Sequence, residues 1–483
     1  MTGDPTPLDS RPDSHDTHQL AGTSPDRLAE RRFLVHGLGV TNMAVAAALV
    51  RRGRDVVLSD DGDPVRRDAL AAEIGGAAVA GAQVEVLAQP IEWDDVMGRV
   101  DAVVPTPGLA ESHPLFAFAR SAGVAVLSEF DLAAAWDDRP VLAITGTNGK
   151  TTVTTLVDAM LDASGVCSAA VGNTEVPLVA AIDDPATDVF VVEASSFRLA
   201  QSRHFEPRVA TWLNFAPDHL DVHDSLDAYR DAKARIWSDQ VSGDVAVVNV
   251  DDVVVAAAAP TGPDSPRVVR YGLGPDPSGA PVDYREQDGL LVGPGDLELA
   301  RVDELWSSLP HDRSNVLAAA ATALAGGADL HGVRRAIRNF AGLSHRVQLV
   351  GERDGVRWFD DSKATAPHAT VAAVRGFQSV VLIAGGRNKG LDLRALGAVS
   401  DRLRGVVGIG EAADEVVAAF PDVTSVTAES MADAVRAAAT LAGVGDTVLL
   451  SPACASFDWY RSYGERGDDF VACVRDLVLG DGS

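Results

Sequence analysis

Short apolar runs recur along the chain. Each is closed by glycine, proline or an acid and followed by an alanine-rich stretch with helical spacing. Phe33-Leu34-Val35-His36 leads into Gly37-Leu38-Gly39 and a helix predicted to about Arg52. Val56-Val57-Leu58 ends at Ser59-Asp60-Asp61, and a strand around Ala102–Val104 ends at Pro105-Thr106-Pro107-Gly108. Apolar runs bounded by turn residues read as buried strands, and their alternation with helices predicts parallel sheets covered by helices. The pattern pauses near Trp136–Pro140 and restarts at Val141-Leu142-Ala143-Ile144, with strands predicted at Val189–Val192, Val209–Leu213 and Val245–Val248. A Gly-, Pro- and Asp-rich stretch from about 260 to 300 predicts a short β insertion, and helices follow near Asn315–Ala325 and 331–339. A third round begins near Gly342, with strands at Val356–Phe359, Val380–Ala384, Val406–Ile409 and Val448–Leu450.

The expected organisation is α/β in three domains after a tail: residues 1–30 as a disordered acidic tail, then 31–138, 139–341 and 342–483. The first and third domains read as Rossmann-like. Composition narrows the classes. The net charge of −28 argues against nucleic acid as a general partner, since phosphate backbones attract basic surfaces. The N-terminus has no basic or apolar leader region, and no apolar stretch is long enough to span a bilayer, so no integral membrane association is expected. Cys167, Cys454 and Cys473 are few and scattered, which indicates neither a disulfide framework nor a zinc cluster. A cytoplasmic protein is expected.

Thr145-Gly146-Thr147-Asn148-Gly149-Lys150-Thr151 is the most specific local signal. It joins a predicted strand to a predicted helix, the context in which backbone N–H groups and a helix N-terminus bind phosphate. Lys150 would reach the β- and γ-phosphates and the Thr151 hydroxyl would ligate Mg²⁺. The central domain is therefore expected to be a P-loop ATPase-type parallel sheet. Ile144 stands where the usual pattern has its first glycine. The Gly37-x-Gly39 turn is an incomplete dinucleotide fingerprint, because Asn42 replaces its third glycine; Asp60 remains available to a ribose, and a nucleotide-like ligand other than NAD stays open. Glu193 ends a strand, where a carboxylate faces the ligand crevice or bonds to a turn. His219 lies just past a strand in Asp218-His219-Leu220 and reads as a Mg²⁺ ligand or as a solvated loop residue. Lys233 sits on a helix predicted over Leu226–Trp237, where a lone lysine reads as a solvated face. Lys363, Lys389 and Ser456 lie in three strand-end loops of the third domain and together would form an anion-binding rim.

The ordered motifs GTNGKTT, EASSFRL, NFAPDHLDVH, DAKARIW, HDRSN, GLSHR, DDSKATAP, AGGRNKG and SPACASFDWYRSYGERG resemble those of the Mur ligases of peptidoglycan precursor synthesis, over the span from about Phe33 to the C-terminus. The GLGVTNMAVAAAL opening and the DDSKATAP and SPACASFDWYRSYGERG motifs are most similar to the branch that adds D-glutamate to UDP-N-acetylmuramoyl-L-alanine. The resemblance implies an ATP-dependent, monomeric ligase working through an acyl phosphate with two Mg²⁺. It implies that Gly146, Thr147, Asn148, Gly149, Lys150, Thr151, Thr152, Asn173, Asn315, Arg346 and Asp361 bind ATP. It assigns Thr151, Glu193, His219 and a carbamylated Lys233 to metal, and Lys150, His219 and Lys233 to catalysis. Thr41, Asp60 and Asp61 match the uridine site, and Ser195 a substrate contact. Lys363, Thr365, Lys389, Ser456 and Tyr463 match the D-glutamate pocket. Two positions depart from the family: Asp312 stands for asparagine and Tyr463 for phenylalanine.

Three other classes compete. A dehydrogenase would rest on Gly37-x-Gly39 and Asp60 but leaves the phosphate loop unexplained. A switch or transport ATPase would rest on that loop alone. A folylpolyglutamate-type ligase shares the central domain but needs no Rossmann-like first domain.

Overall fold

A computed structural model describes Leu28 and residues 32–62, 64–76, 81–174, 176–220, 222–388 and 390–480. The expected tail, apart from Leu28, and Lys389 lie outside the described residues. Three sheets account for the strands. The first holds β1 (Arg32–His36), β2 (Asp55–Ser59), β3 (Val84–Val86), β4 (Ala102–Pro105) and β5 (Ala125–Val126), all parallel, in the order β3-β2-β1-β4-β5.

The second holds β6 (Val141–Thr145), β7 (Ser168–Gly172), β8 (Val189–Glu193), β9 (Val209–Trp212), β10 (Val245–Asn249), β11 (Arg267–Gly272), β12 (Tyr284–Gln287), β13 (Leu290–Gly293) and β14 (Leu297–Arg301). Its order is β14-β13-β12-β11-β10-β9-β6-β8-β7. The predicted insertion is the antiparallel meander β12-β13-β14 at one edge. Both faces of this sheet are covered, which is why its central strands read as unbroken apolar runs. The helix Lys150–Ala163 buries Val153, Leu156, Val157, Met160 and Leu161, one stripe at helical spacing, in a core shared with Leu142 and Val191. The opposite face packs Phe190, Trp212 and Trp237.

The third sheet holds β15 (Gln348–Arg353), β16 (Val356–Asp360), β17 (Val380–Gly385), β18 (Leu403–Ile409), β19 (Ser425–Ala428) and β20 (Thr447–Ala453), in the order β15-β16-β20-β17-β18-β19 with only β15 antiparallel. The chain divides into two compact units. One contains the first two sheets, the residues up to Ser308 and Asp312–Phe340; the other contains Leu309–His311 and everything from Ala341. Among the described residues, no helix is long and apolar enough to cross a membrane.

Candidate active site

In the second sheet β6 lies between β8 and β9, with Ile144 opposite Glu193 and Thr145 opposite Trp212. The loops after these three strands therefore open at one point, where an α/β sheet binds its ligands. The phosphate loop is held from both flanks. Asn148 N–H donates to Asn214 Oδ1 (2.8 Å), Asn214 Nδ2 returns a bond to Asn148 O (3.2 Å), and Thr147 N–H donates to Asn214 O (3.1 Å). The Thr147 hydroxyl pairs with the Tyr229 hydroxyl at 3.1 Å and accepts from Ala216 N–H at 3.0 Å. Gly149 has φ 81°, and a Cβ there would sit 2.6 Å from Asn315 Oδ1. Glycine is required twice over at this position: for the left-handed backbone and to admit Asn315 against the loop. Thr151 and Thr152 follow Lys150 in the first turn of the helix.

Two lysines share one carbonyl. Lys150 Nζ and Lys233 Nζ each donate to Gly146 O at 2.8 Å. The solvated-face reading of Lys233 is corrected, because the residue is 1% exposed. Its helix, Leu226–Ala234, packs Tyr229, Ala232 and Lys233 inward, and the amine lies 4.7 Å from the Tyr229 ring centroid. Burial, then the neighbouring Lys150, pushes the Lys233 ammonium well below its ordinary pKa, against Asp218 and Glu193.

Glu193 is 3% exposed. Its Oε1 accepts from Asn173 Nδ2 at 3.2 Å, while Oε2 is buried with no hydrogen-bond partner. A buried carboxylate oxygen without a donor is costly, and a cation would satisfy it, so the donor set fits a hard metal ion. His219 has φ 55°, a left-handed conformation unusual outside glycine. Its ring packs edge-on against Phe197 at 4.7 Å and Tyr229 at 5.9 Å. Tyr229 thus touches His219, Lys233 and the phosphate loop.

At the carboxyl end of the first sheet, Asp60 spends its oxygens inside its own loop, accepting from Leu38 N–H at 2.6 Å and Gly62 N–H at 2.7 Å. It thereby shapes the Gly37-x-Gly39 turn. Asp61 accepts from Gln89 Nε2 at 3.0 Å and lies 3.1 Å from His113 Nε2 and 3.5 Å from His36 Nε2. These three residues could group around a metal by distance. However, Leu115 N–H donates to His113 Nδ1 at 3.2 Å, which puts the neutral ring's proton on Nε2, where it donates to Asp61 instead of ligating. Ser195 caps the helix Ser196–Gln201, and the Thr41 hydroxyl accepts from Arg198 Nη2 at 2.8 Å.

In the other unit, β16, β20 and β17 are neighbours, so the DDSKAT, SPACAS and GGRN loops leave the sheet side by side. Arg387 and Ala455 exchange backbone hydrogen bonds of 2.9 and 3.0 Å between the last two. Arg466, 1% exposed, ties the first to the second: Nε donates to Ser362 Oγ (3.0 Å), Nη2 to Ser362 O (2.8 Å) and Nη1 to Cys454 O (3.1 Å). Burial pulls its guanidinium down to about 10. Lys363 Nζ lies 5.2 Å over the Tyr463 ring. Ser456 is buried and Thr365 half-buried. Asp361 accepts from Ser451 Oγ at 2.8 Å, and burial pushes its carboxyl up to about 7. Beside it, His345 Nδ1 and Asp360 Oδ2 are 2.6 Å apart, and Arg346 is half-buried.

The structure thus brings Lys150, Lys233, Glu193, Asn173, His219 and Asn315 around one strand-end opening, with Thr151 in the helix that starts there. Arg198, Asn214, Tyr229 and Arg466 are the residues the sequence reading did not single out. Arg198, Asn214 and Arg466 lie inside motifs it quoted and Tyr229 lies just ahead of one, but their importance comes from hydrogen-bond geometry.

Residues 144–323 match the Mur ligase middle domain, and residues 345–454 match the Mur ligase, glutamate ligase domain. The chain belongs to the Mur ligase family. Within that family it is similar to the UDP-N-acetylmuramoylalanine--D-glutamate ligase of Frankia casuarinae, at 43% identity over 92% of this chain and 93% of the relative. The protein of the same name from Desulfosudis oleivorans is 39% identical, over 95% of this chain and 99% of its own. A solved pseudomurein peptide ligase type C from Methanothermus fervidus shares the fold, with a TM-score of 0.58 at 17% identity, over 92% of this chain and 99% of that one.

Proposed function

We propose that this protein is an ATP-dependent ligase that joins D-glutamate to UDP-N-acetylmuramoyl-L-alanine in cytoplasmic peptidoglycan precursor synthesis, acting as a monomer. The observation that carries this reading is the buried set around the phosphate loop: Lys150 and Lys233 on one carbonyl, with a carboxylate oxygen of Glu193 left for a cation. The relatives' shared name supplies the substrates.

A carboxylate does not react with an amine at neutral pH, because its leaving group would be oxide. The γ-phosphoryl of ATP passes to the alanyl carboxylate, giving an acyl phosphate; the D-glutamate amine attacks it, and phosphate leaves. Gly146, Thr147, Asn148, Gly149 and Thr152 hold the phosphates through the loop and helix N-terminus, and Lys150 offsets charge on the transferred group. Asn173, Asn315, Arg346 and Asp361 contact the nucleotide. Mg²⁺, when bound, neutralises the phosphate oxygens and lowers the repulsion between two anions. Thr151, Glu193, His219 and Lys233 are the residues that would hold it, in two sites.

Lys233 would do so as a carbamate: its neutral amine adds to CO₂ and releases a proton, turning the amine into an anionic oxygen ligand. The depressed ammonium and the crowding by Lys150 support this. Thr41, Asp60, Asp61 and Ser195 bind the UDP substrate. Lys363, Thr365, Lys389, Ser456 and Tyr463 bind D-glutamate, whose two carboxylates suit paired cations and hydroxyls.

The test is phosphate release from ATP in the presence of UDP-N-acetylmuramoyl-L-alanine, comparing D-glutamate with L-glutamate and other amino acids. Release dependent on both the UDP substrate and D-glutamate is expected. Release with ATP alone, or equal release with L-glutamate, overturns the assignment.

A further inference from the structure

We infer that Arg198 is a positioning residue that decides which oxygen of Glu193 is offered to the metal, and that it ties this setting to the Gly37-Leu38-Gly39 turn of the first sheet. The inference rests on the reading of Glu193 as a metal ligand.

Arg198 is 4% exposed, yet its guanidinium serves three separate elements. Nε donates to Glu129 Oε1 at 2.6 Å, Nη1 to Asn173 Oδ1 at 2.8 Å and Nη2 to Thr41 Oγ1 at 2.8 Å. Glu129 is itself buried, and its Oε2 accepts from Val179 N–H at 3.3 Å, so the ion pair is fixed from both sides. Guanidinium is donor-only, which orients the amide of Asn173. The amide oxygen faces Arg198, and the NH₂ end must face Glu193, where it meets Oε1 at 3.2 Å. Turning the amide over would set two donors against each other. With Oε1 taken, Oε2 of Glu193 remains buried and without a partner. The relay Glu129–Arg198–Asn173–Glu193 thus leaves one defined oxygen for a cation, as groups behind metal ligands do. The third contact reaches Thr41, in the first turn of the helix that follows Gly37-Leu38-Gly39. One planar, rigid fork therefore holds groups at the ends of the first and second sheets, a task that lysine, with a single ammonium, cannot perform.

The experiment is Mn²⁺ binding to the full-length protein without nucleotide, followed by paramagnetic resonance, for wild type, Arg198→Lys, Asn173→Ala, the double variant and Glu193→Gln. Unfolding midpoints are measured alongside. Arg198→Lys and Asn173→Ala should each weaken Mn²⁺ binding roughly tenfold, and the double variant should be no weaker than either single one, because both break the same relay. A purely structural role for Arg198 lowers the midpoint and leaves the Mn²⁺ dissociation constant unchanged. That result, or additive losses in the double variant, overturns the inference. Should Arg198→Lys not fold, Asn173→Ala breaks the relay with the Arg198–Glu129 pair intact, and unchanged Mn²⁺ binding there overturns it equally. Mn²⁺ binding that survives Glu193→Gln instead refutes the metal-ligand reading itself, and the inference falls with it.

Discussion

The two strand-end sites of this molecule are built by different means. Around the phosphate loop, charged side chains are themselves buried and aimed at the opening: Lys233 is 1% exposed, Glu193 3%, and one carboxylate oxygen has no partner. In the third sheet the buried guanidinium of Arg466 holds loop backbone, while Lys363 and Tyr463 remain partly exposed. The first arrangement accepts desolvation so that groups are fixed before the ligand arrives, which suits electrostatic stabilisation of a charge-rich transition state. The second fixes the loops and leaves the ligand-facing side chains adaptable, which suits recognition of a small amino acid.

On this contrast, the largest effect comes from removing a buried charge of the first site. Lys233→Ala should lower kcat by about 10²–10³, the range for loss of one preorganised stabilising group. Short carboxylic acids should restore part of the loss by standing in for the carbamate. Full activity in the unsupplemented variant would take Lys233 out of the site.

How much of this was legible in the sequence follows the same contrast. The central strands were readable because they are covered on both faces. Of the strands that the hydrophobic pattern did not reveal singly, β3, β5, β7, β15 and β19 are sheet edges, where half-exposed positions break the apolar run, while β11 lies inside its sheet within the Gly-, Pro- and Asp-rich stretch. The phosphate loop was readable because glycine spacing encodes backbone geometry directly. Lys233 was not readable from its helix alone, since the pattern does not reveal that this face turns toward the loop of another strand. Arg198 and Arg466 were invisible as hubs, because their roles depend on partners 157 and 104 positions away, Thr41 and Ser362.

The next effect tests the second site's loops. Arg466→Gln strands the carbonyls of Ser362 and Cys454 in a buried setting, a loss of about 3 kcal/mol for unsatisfied acceptors. Hydrogen exchange should rise in β16, β17 and β20 while β6, β8 and β9 keep their protection. Equal loss in both sets would mean that the two regions are not separately held. A smaller effect is expected from a ligand-facing side chain: Lys363→Ala should raise the D-glutamate KM about tenfold, the worth of one charge-assisted hydrogen bond, with the KM for the UDP substrate unchanged. Equal changes in both would remove Lys363 from the amino-acid pocket.

The last test separates the sites by pH. Burial raises the Asp361 carboxyl to about 7 in the folded protein, against an ordinary value near 4. The folded state then holds a proton that the unfolded state has released, so between about pH 4 and 7 this group makes stability fall as pH rises. Its contribution is fully present below the unfolded value and is lost as pH passes through the folded one. Other carboxylates act in the opposite sense, so the informative quantity is the difference between wild type and Asp361→Asn. The amide keeps a neutral partner for Ser451 and does not titrate. Relative to wild type, its melting midpoint should rise by several degrees from pH 4 to pH 7, since each unit between the folded and unfolded values is worth about 1.4 kcal/mol and about 1 kcal/mol moves the midpoint of a domain of this scale by a few degrees. Parallel pH curves would mean that Asp361 stays ionised in the fold, held by Arg346 and the Val347 N–H against its burial. The buried acid of the second site would then resemble the prepaired charges of the first.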